Sequence, residues 1–236
     1  MSTIAANIST LEQRIRDAAL AAERDPASVG LLAVSKTKPA SDLREAYTAG
    51  LRDFGENYLQ EALGKQLELS DLPLCWHFIG PIQSNKTRAI AENFDWVHSV
   101  DRLKIAQRLS EQRPEALEPL NICIQVNVSG EASKSGCTPQ DLSALAAAII
   151  ALPRLRLRGL MAIPVPTDDP AAQDASFAAV RTLQEQLNLP LDTLSMGMSH
   201  DLEAAIAQGA TWVRIGTALL VPATMASHNL FIRTPS

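Results

Sequence analysis

Cysteine is scarce in this 236-residue chain. Cys75, Cys123 and Cys137 are odd in number and widely spaced, which excludes a disulfide framework and a CxxC metal clip. No apolar run approaches the roughly 18 residues that a membrane helix needs. The N-terminus, MSTIAANISTLEQRIRDAAL, has charges where a signal peptide would hold its apolar stretch. The phosphate motifs GxxxxGKS/T and GxGxxG, the zinc motif HExxH and the EF-hand loop are all missing. Asn127 and Ser129 fit a glycosylation sequon, which has no meaning without a secretory signal. A basic excess is absent too: 21 Lys+Arg against 26 Asp+Glu leave a net charge of −5. No nucleic-acid or membrane partner is expected, although a local basic groove is compatible with this balance. A reduced, cytoplasmic, globular protein is the expectation.

What is present supports a sizeable core: 46% of residues are hydrophobic and 20% charged. Ile4, Ile8, Leu11 and Ile15 recur at helical spacing, and the pattern stops before Asp25 and Pro26. Short apolar runs follow at 31–35, 53–56, 75–80, 95–100, 120–128, 157–163, 193–196 and 212–215. Amphipathic stretches such as DLREAYTAG, YLQEALGKQLELS and PQDLSALAAAII separate them. Ser41 and Thr138-Pro139 mark helix starts, and Gly50 and Gly209 mark helix ends. A strand–helix unit repeating about every 25 residues favours a parallel sheet closed as a (β/α)8 TIM barrel, with an open flavodoxin-like sheet as the alternative. The expected organisation is a single domain over 1–236, with an extra N-terminal helix over 1–25 and the barrel over 31–220. The proline-rich stretch 164–170 falls where a βα loop belongs.

Chemistry in such a barrel sits after the strands. Lys36 follows the first strand directly, where partial desolvation would move its ammonium towards a nucleophilic amine. The plain alternative is a surface lysine like Lys38. Gly197 and Ser199 follow the seventh strand, and Gly216 and Thr217 follow the eighth. Backbone N–H groups, hydroxyls and a helix N-terminus there suit an anion. Ser199 also suits a plain N-cap, and Asp201 and Glu203 would mildly repel a phosphate. A phosphate cradle beside a lysine suggests a phosphorylated aldehyde, of which pyridoxal phosphate is the obvious one.

The blocks AVSKTKP, DFGENYLQEA, WHFIGPIQSNK, QVNVSGEASKSG, RGLMAIP, SMGMSHDLEAAI and VRIGTAL carry a family resemblance. The chain resembles the pyridoxal phosphate homeostasis proteins, YggS-like in bacteria, which are similar to the N-terminal barrel of alanine racemase. The resemblance implies the type III fold of pyridoxal phosphate proteins without its C-terminal β domain. It implies that Lys36 binds the cofactor as an internal aldimine, that Ser199, Gly216 and Thr217 hold its phosphate, that Arg214 faces the pyridine nitrogen, and that Asn57 lines the pocket. His200 departs from the acidic residue expected after SMGMS.

Arg214 only donates, so beside the pyridine nitrogen it keeps that atom unprotonated and a poor electron sink. Without the resemblance, a strand-end arginine bridging a neighbouring carboxylate is the favoured reading. Racemisation needs a second acid/base group opposite Lys36. The resemblance implies that alanine racemases draw it from a tyrosine of a separate β domain, for which no room is expected after Leu220. Tyr47 and Tyr58 are the tyrosines present, and Tyr58 fits helix-start packing. His77 and His98 read as hydrogen-bonded core residues, and Cys123 as strand packing. Gln83, Asn85, Lys86, Ser133 and Lys134 fall in mouth loops, as solvated residues or as a basic rim. The expected function is non-catalytic holding of pyridoxal phosphate for vitamin B6 homeostasis and, indirectly, amino-acid homeostasis. Apo-enzymes are candidate acceptors, and an amino-acid racemase is the alternative.

Overall fold

In a computed structural model of the protein, residues 3–132 and 135–220 are described. Helix α1 (Thr3–Ala21) buries Ile4, Ile8, Leu11, Ile15 and Ala19 on one stripe. Each of the larger side chains contributes about 1.5–3 kcal/mol by leaving water. The body then alternates β1 (Gly30–Val34), α2 (Ala40–Thr48), β2 (Asp53–Glu56), α3 (Leu59–Glu68), β3 (Cys75–Phe78), α4 (Thr87–Asn93), β4 (Trp96–Val100) and α5 (Leu103–Gln112). It continues with β5 (Leu120–Gln125), α6 (Pro139–Ile150), β6 (Leu155–Met161), α7 (Pro170–Leu187), β7 (Thr193–Ser195), α8 (Leu202–Ala207) and β8 (Trp212–Ile215).

Each strand pairs in parallel with its sequence neighbour, and β8 returns to β1 with Leu32 opposite Arg214 and Ala33 opposite Ile215. That last ladder closes the barrel and removes the open sheet from consideration. α1 lies outside against α2 and α8, tied down by an Asn7 Nδ2 bond to the Leu219 carbonyl.

The strands' twofold alternation divides the core. One set of side chains meets the helices in a large apolar layer, while Trp96, Cys123 and Met161 pack separately inside. Gly159 marks a close approach, since a Cβ there would overlap the Thr193 carbonyl of β7.

Helix punctuation follows local chemistry. Thr138 caps α6 by accepting from Asp141 N, with Pro139 at the first position. Asp169 and Pro170 start α7 in the same way. Ser41 is not a cap: α2 already begins at Ala40 after Pro39, whose fixed φ suits that position. The strand over 75–80 stops at Phe78, and the one over 120–128 stops at Gln125, because the chain leaves the ladder to form the mouth; Val126 continues the latter through a bridge to Cys137 and a bond to the Met161 carbonyl.

Candidate functional site

Lys36 stands on the turn after β1, and α3 grips the backbone on either side of it. Lys65 Nζ donates to the Ser35 carbonyl at 2.6 Å, and Glu61 Oε1 accepts from Thr37 N. Lys65 pairs with both Glu56 and Glu61 at 2.7 Å, and Ser35 Oγ donates to Glu56 Oε1 at 2.8 Å. Thr37 is left-handed at φ 64°, a conformation that a β-branched residue keeps only when its surroundings hold it. Burial raises the Glu56 carboxyl, while hydrogen bonds from Lys65 and Ser35 act against the rise. This clamp escapes the sequence reading. Its only signal there is the Glu61–Lys65 spacing of i,i+4, which resembles an ordinary solvated helix pair. The expected desolvation of Lys36 does not occur: the turn carries it past the strand ends, where it is exposed.

The segments after β7 and β8 meet beside the end of β1. Arg214 N donates to the Gly197 carbonyl at 2.9 Å, with Gly197 at φ 98°. A Cβ on Gly216 would meet nothing nearer than Val34 Cβ at 3.5 Å, two residues before Lys36. Ser199 is half-buried and Thr217 exposed. Ser199 is neither an N-cap nor at the helix start. α8 begins at Leu202, and Asp201 takes the cap position while its Oδ1 accepts from Met198 N at 2.7 Å. The carboxylates expected to repel an anion are also engaged. Arg14 of α1 binds Glu203 through two nitrogens at 2.5 and 2.7 Å, which holds Glu203 below its ordinary value. His200 Nε2 lies 3.4 Å from Asp201.

Arg214 points into the barrel, buried, with Nη1 donating to Ser195 Oγ at 2.8 Å and Nη2 to the Ala162 carbonyl at 3.0 Å. It bridges no carboxylate among the described residues. Burial pushes it down to about 10, which leaves it cationic at neutral pH. Asn57 borders a cavity of about 280 Å³ with Ile79, Gln125, Ile163 and Pro164, and its Oδ1 is buried with no hydrogen-bond partner among the described residues. A larger groove, about 740 Å³, lies outside between α1 and α8 and holds no group suited to an aldehyde.

The remaining candidates separate. Tyr58 is exposed and lines a cavity with Gln83 and Lys86, while Tyr47 lies under Arg52 at 4.0 Å. Asn85 sits on the short turn Ser84–Lys86. Ser133 and Lys134 lie outside the described residues. Cys123 is fully buried, and burial pushes its thiol up to about 12. His77 and His98 are fully buried and bonded to one another at 2.9 Å. Asp53, Cys75 and His77 are the one trio of metal-ligating side chains brought together among the described residues, with His77 Nε2 already bonded to Asp53.

Fold and site together define a β/α barrel of the alanine racemase N-terminal type, and the family described as alanine racemase, N-terminal domain, matches residues 2–223. A pyridoxal phosphate homeostasis protein of Pseudomonas aeruginosa is 77% identical over 219 residues, covering 93% of this chain and 95% of that protein. One from Escherichia coli K12 is 52% identical over 229 residues, covering 93% and 96%. The chain belongs to the pyridoxal phosphate homeostasis protein family. Among solved structures, PipY of Synechococcus elongatus with pyridoxal phosphate bound superposes at a TM-score of 0.82 and 42% identity, covering 93% of this chain and 100% of that one. Alanine racemase of Corynebacterium glutamicum shares the fold at a TM-score of 0.62 and 18% identity, and the match covers 92% of this chain and 59% of the racemase.

Proposed function

We propose that this protein binds pyridoxal phosphate in the barrel mouth and holds it without turnover, serving vitamin B6 homeostasis and, through the cofactor supply, amino-acid homeostasis. One observation carries the reading: the ends of β1, β7 and β8 lie together, with Arg214 N bonded to the Gly197 carbonyl and Gly216 against Val34, two residues before Lys36. Bound there, pyridoxal phosphate supplies an aldehyde that condenses with a primary amine. Lys36 is the amine. Ser199, Gly216 and Thr217 receive the phosphate, with the space left by the Gly216 side chain as part of the cradle. Arg214 donates to the ring nitrogen, and Asn57, its Oδ1 unpartnered among the described residues, closes the pocket edge. These residues fit the group.

Two features support holding over catalysis. A guanidinium that stays cationic leaves the ring nitrogen unprotonated, which weakens its capacity to stabilise a carbanion. Proton transfer on both faces of a substrate needs a group opposite Lys36; Tyr47 is engaged under Arg52, and Tyr58 is exposed on a cavity shared with Gln83 and Lys86.

Loaded wild-type protein should show visible imine absorbance that Lys36→Ala abolishes; unchanged absorbance in the variant refutes the attachment. Incubation with amino acids in deuterium oxide should give no stereospecific α-exchange at turnover rates. Such exchange would establish the racemase reading instead. Mixing loaded protein with an apo-enzyme in a cytoplasmic-like buffer should restore that enzyme's activity if cofactor delivery is part of the role.

A further inference from the structure

Buried polar groups in a closed barrel need partners, and here they stand in file from one pole to the other. Arg214 Nη1 lies 2.8 Å from Ser195 Oγ, which lies 2.7 Å from His98 Nδ1. His98 Nε2 is 2.9 Å from His77 Nδ1, and His77 Nε2 is 2.9 Å from Asp53 Oδ1. Arg214, Ser195, His98 and His77 are buried, whereas Asp53 at the start of β2 keeps 28% of its side chain exposed. Trp96 stacks on His77 with ring centroids 5.4 Å apart, and Trp212 meets it edge-on at 5.1 Å, so the row is walled by rings.

The Asp53 carboxylate only accepts, and a neutral imidazole with its proton on Nε2 accepts at Nδ1, so that end determines every direction in the row. Ser195 Oγ accepts from the Arg214 guanidinium, which only donates, and its own proton goes to His98 Nδ1, the acceptor that neutral rings leave there. His98 therefore carries its proton on Nε2 and donates to His77 Nδ1. His77 carries its proton on Nε2 and donates to the Asp53 carboxylate, which only accepts. Both rings are neutral in this scheme. Burial agrees, lowering His77 against the pull of Asp53 and Asp95, and lowering His98 well below its ordinary value with help from the charge of Arg214.

We propose that Asp53, His77, His98 and Ser195 form a hydrogen-bonded relay that positions the Arg214 guanidinium against the ring nitrogen of bound pyridoxal phosphate. The proposal rests on the cofactor reading above. With neutral rings a single arrangement of protons runs from Asp53 to Ser195, so the guanidinium plane is held with no carboxylate in hydrogen-bond contact among the described residues. The carboxylate that ends the row stands at the far pole, Asp201 acts on Arg214 only through its field, and the low dielectric strengthens each bond in the row.

Nitrogen-15 spectra of the protein without cofactor test the relay first. At pH 7 both rings should be neutral and protonated on Nε2. Asp53→Leu removes the terminal acceptor and should mix the tautomers of His77 and His98. Asp53→Asn, whose amide oxygen still accepts, should restore them. A cationic ring, or Nδ1 protonation in the wild type, overturns the relay. Cofactor affinity tests the positioning. His98→Asn should weaken pyridoxal phosphate binding roughly tenfold in the wild-type background and hardly at all beside Arg214→Gln, because coupled residues are not additive. Equal weakening in both backgrounds means a structural role only and overturns the positioning. Absence of cofactor uptake by the wild type defeats the cofactor reading itself, a failure distinct from the tautomer result, which is read without cofactor.

Discussion

Arg14 and Glu203 show how a single side chain alters the chemistry of a loop it does not belong to. Glu203 lies in the first turn of α8, where its charge would oppose an anion, yet Arg14 from α1 holds both carboxylate oxygens. With that charge engaged, Ser199 and Thr217 are free to supply hydroxyls. Ser199→Ala and Thr217→Ala should each weaken pyridoxal phosphate binding by about tenfold, the scale of a hydrogen bond to a charged group. Equilibrium dialysis measures it, with far-ultraviolet dichroism unchanged. Gly197 is constrained by its backbone: at φ 98° an alanine is strained, and its Cβ would lie 2.5 Å from Ala205 Cβ. Gly197→Ala should lower stability by about 1–3 kcal/mol in urea unfolding. The identities and strand-end positions of Lys36, Ser199, Gly216 and Thr217 are legible in the chain. The neutralising partner of Glu203, 189 residues away, is not.

Helix α3 acts on the site through its backbone grip rather than through its surface. Lys65 and Glu56 are both buried, and a buried charge whose partner is removed is strongly destabilising. Lys65→Met should therefore cost about 3–5 kcal/mol in denaturant titration, and Glu56→Gln in the same chain should recover part of the loss. Recovery of stability without recovery of cofactor affinity would assign the clamp to the Lys36 turn. The amphipathic period of YLQEALGKQLE reveals that a helix stands here. It does not reveal that its lysine faces inward, because Lys65 is drawn in by Glu56 and the Ser35 carbonyl from two other elements.

Acid should weaken the whole barrel. His77 and His98 are depressed below their ordinary value of 6.5, chiefly by burial, so the unfolded chain binds protons that the folded one refuses. Their contribution is fully present above that value and is lost as pH falls towards the folded values, by up to about 1.4 kcal/mol per pH unit for each ring. Urea midpoints at pH 7.5 and 5.5 should differ accordingly, and His98→Asn should flatten the dependence. Strand number and helix spacing were written into the sequence, because apolar period and turn residues act over a few neighbours; closure as a barrel rather than an open sheet was decided by the pairing of β8 with β1. Lys36 and the β7 and β8 loops followed from where strands end. Only the tertiary structure decided that Lys36 is exposed, that Asp201 rather than Ser199 caps α8, and that Asp53, His77, His98, Ser195 and Arg214 share one row. Five strands, β2, β3, β4, β7 and β8, contribute one member each to that row, and the side chains meet only when β8 pairs with β1 and the barrel shuts out water.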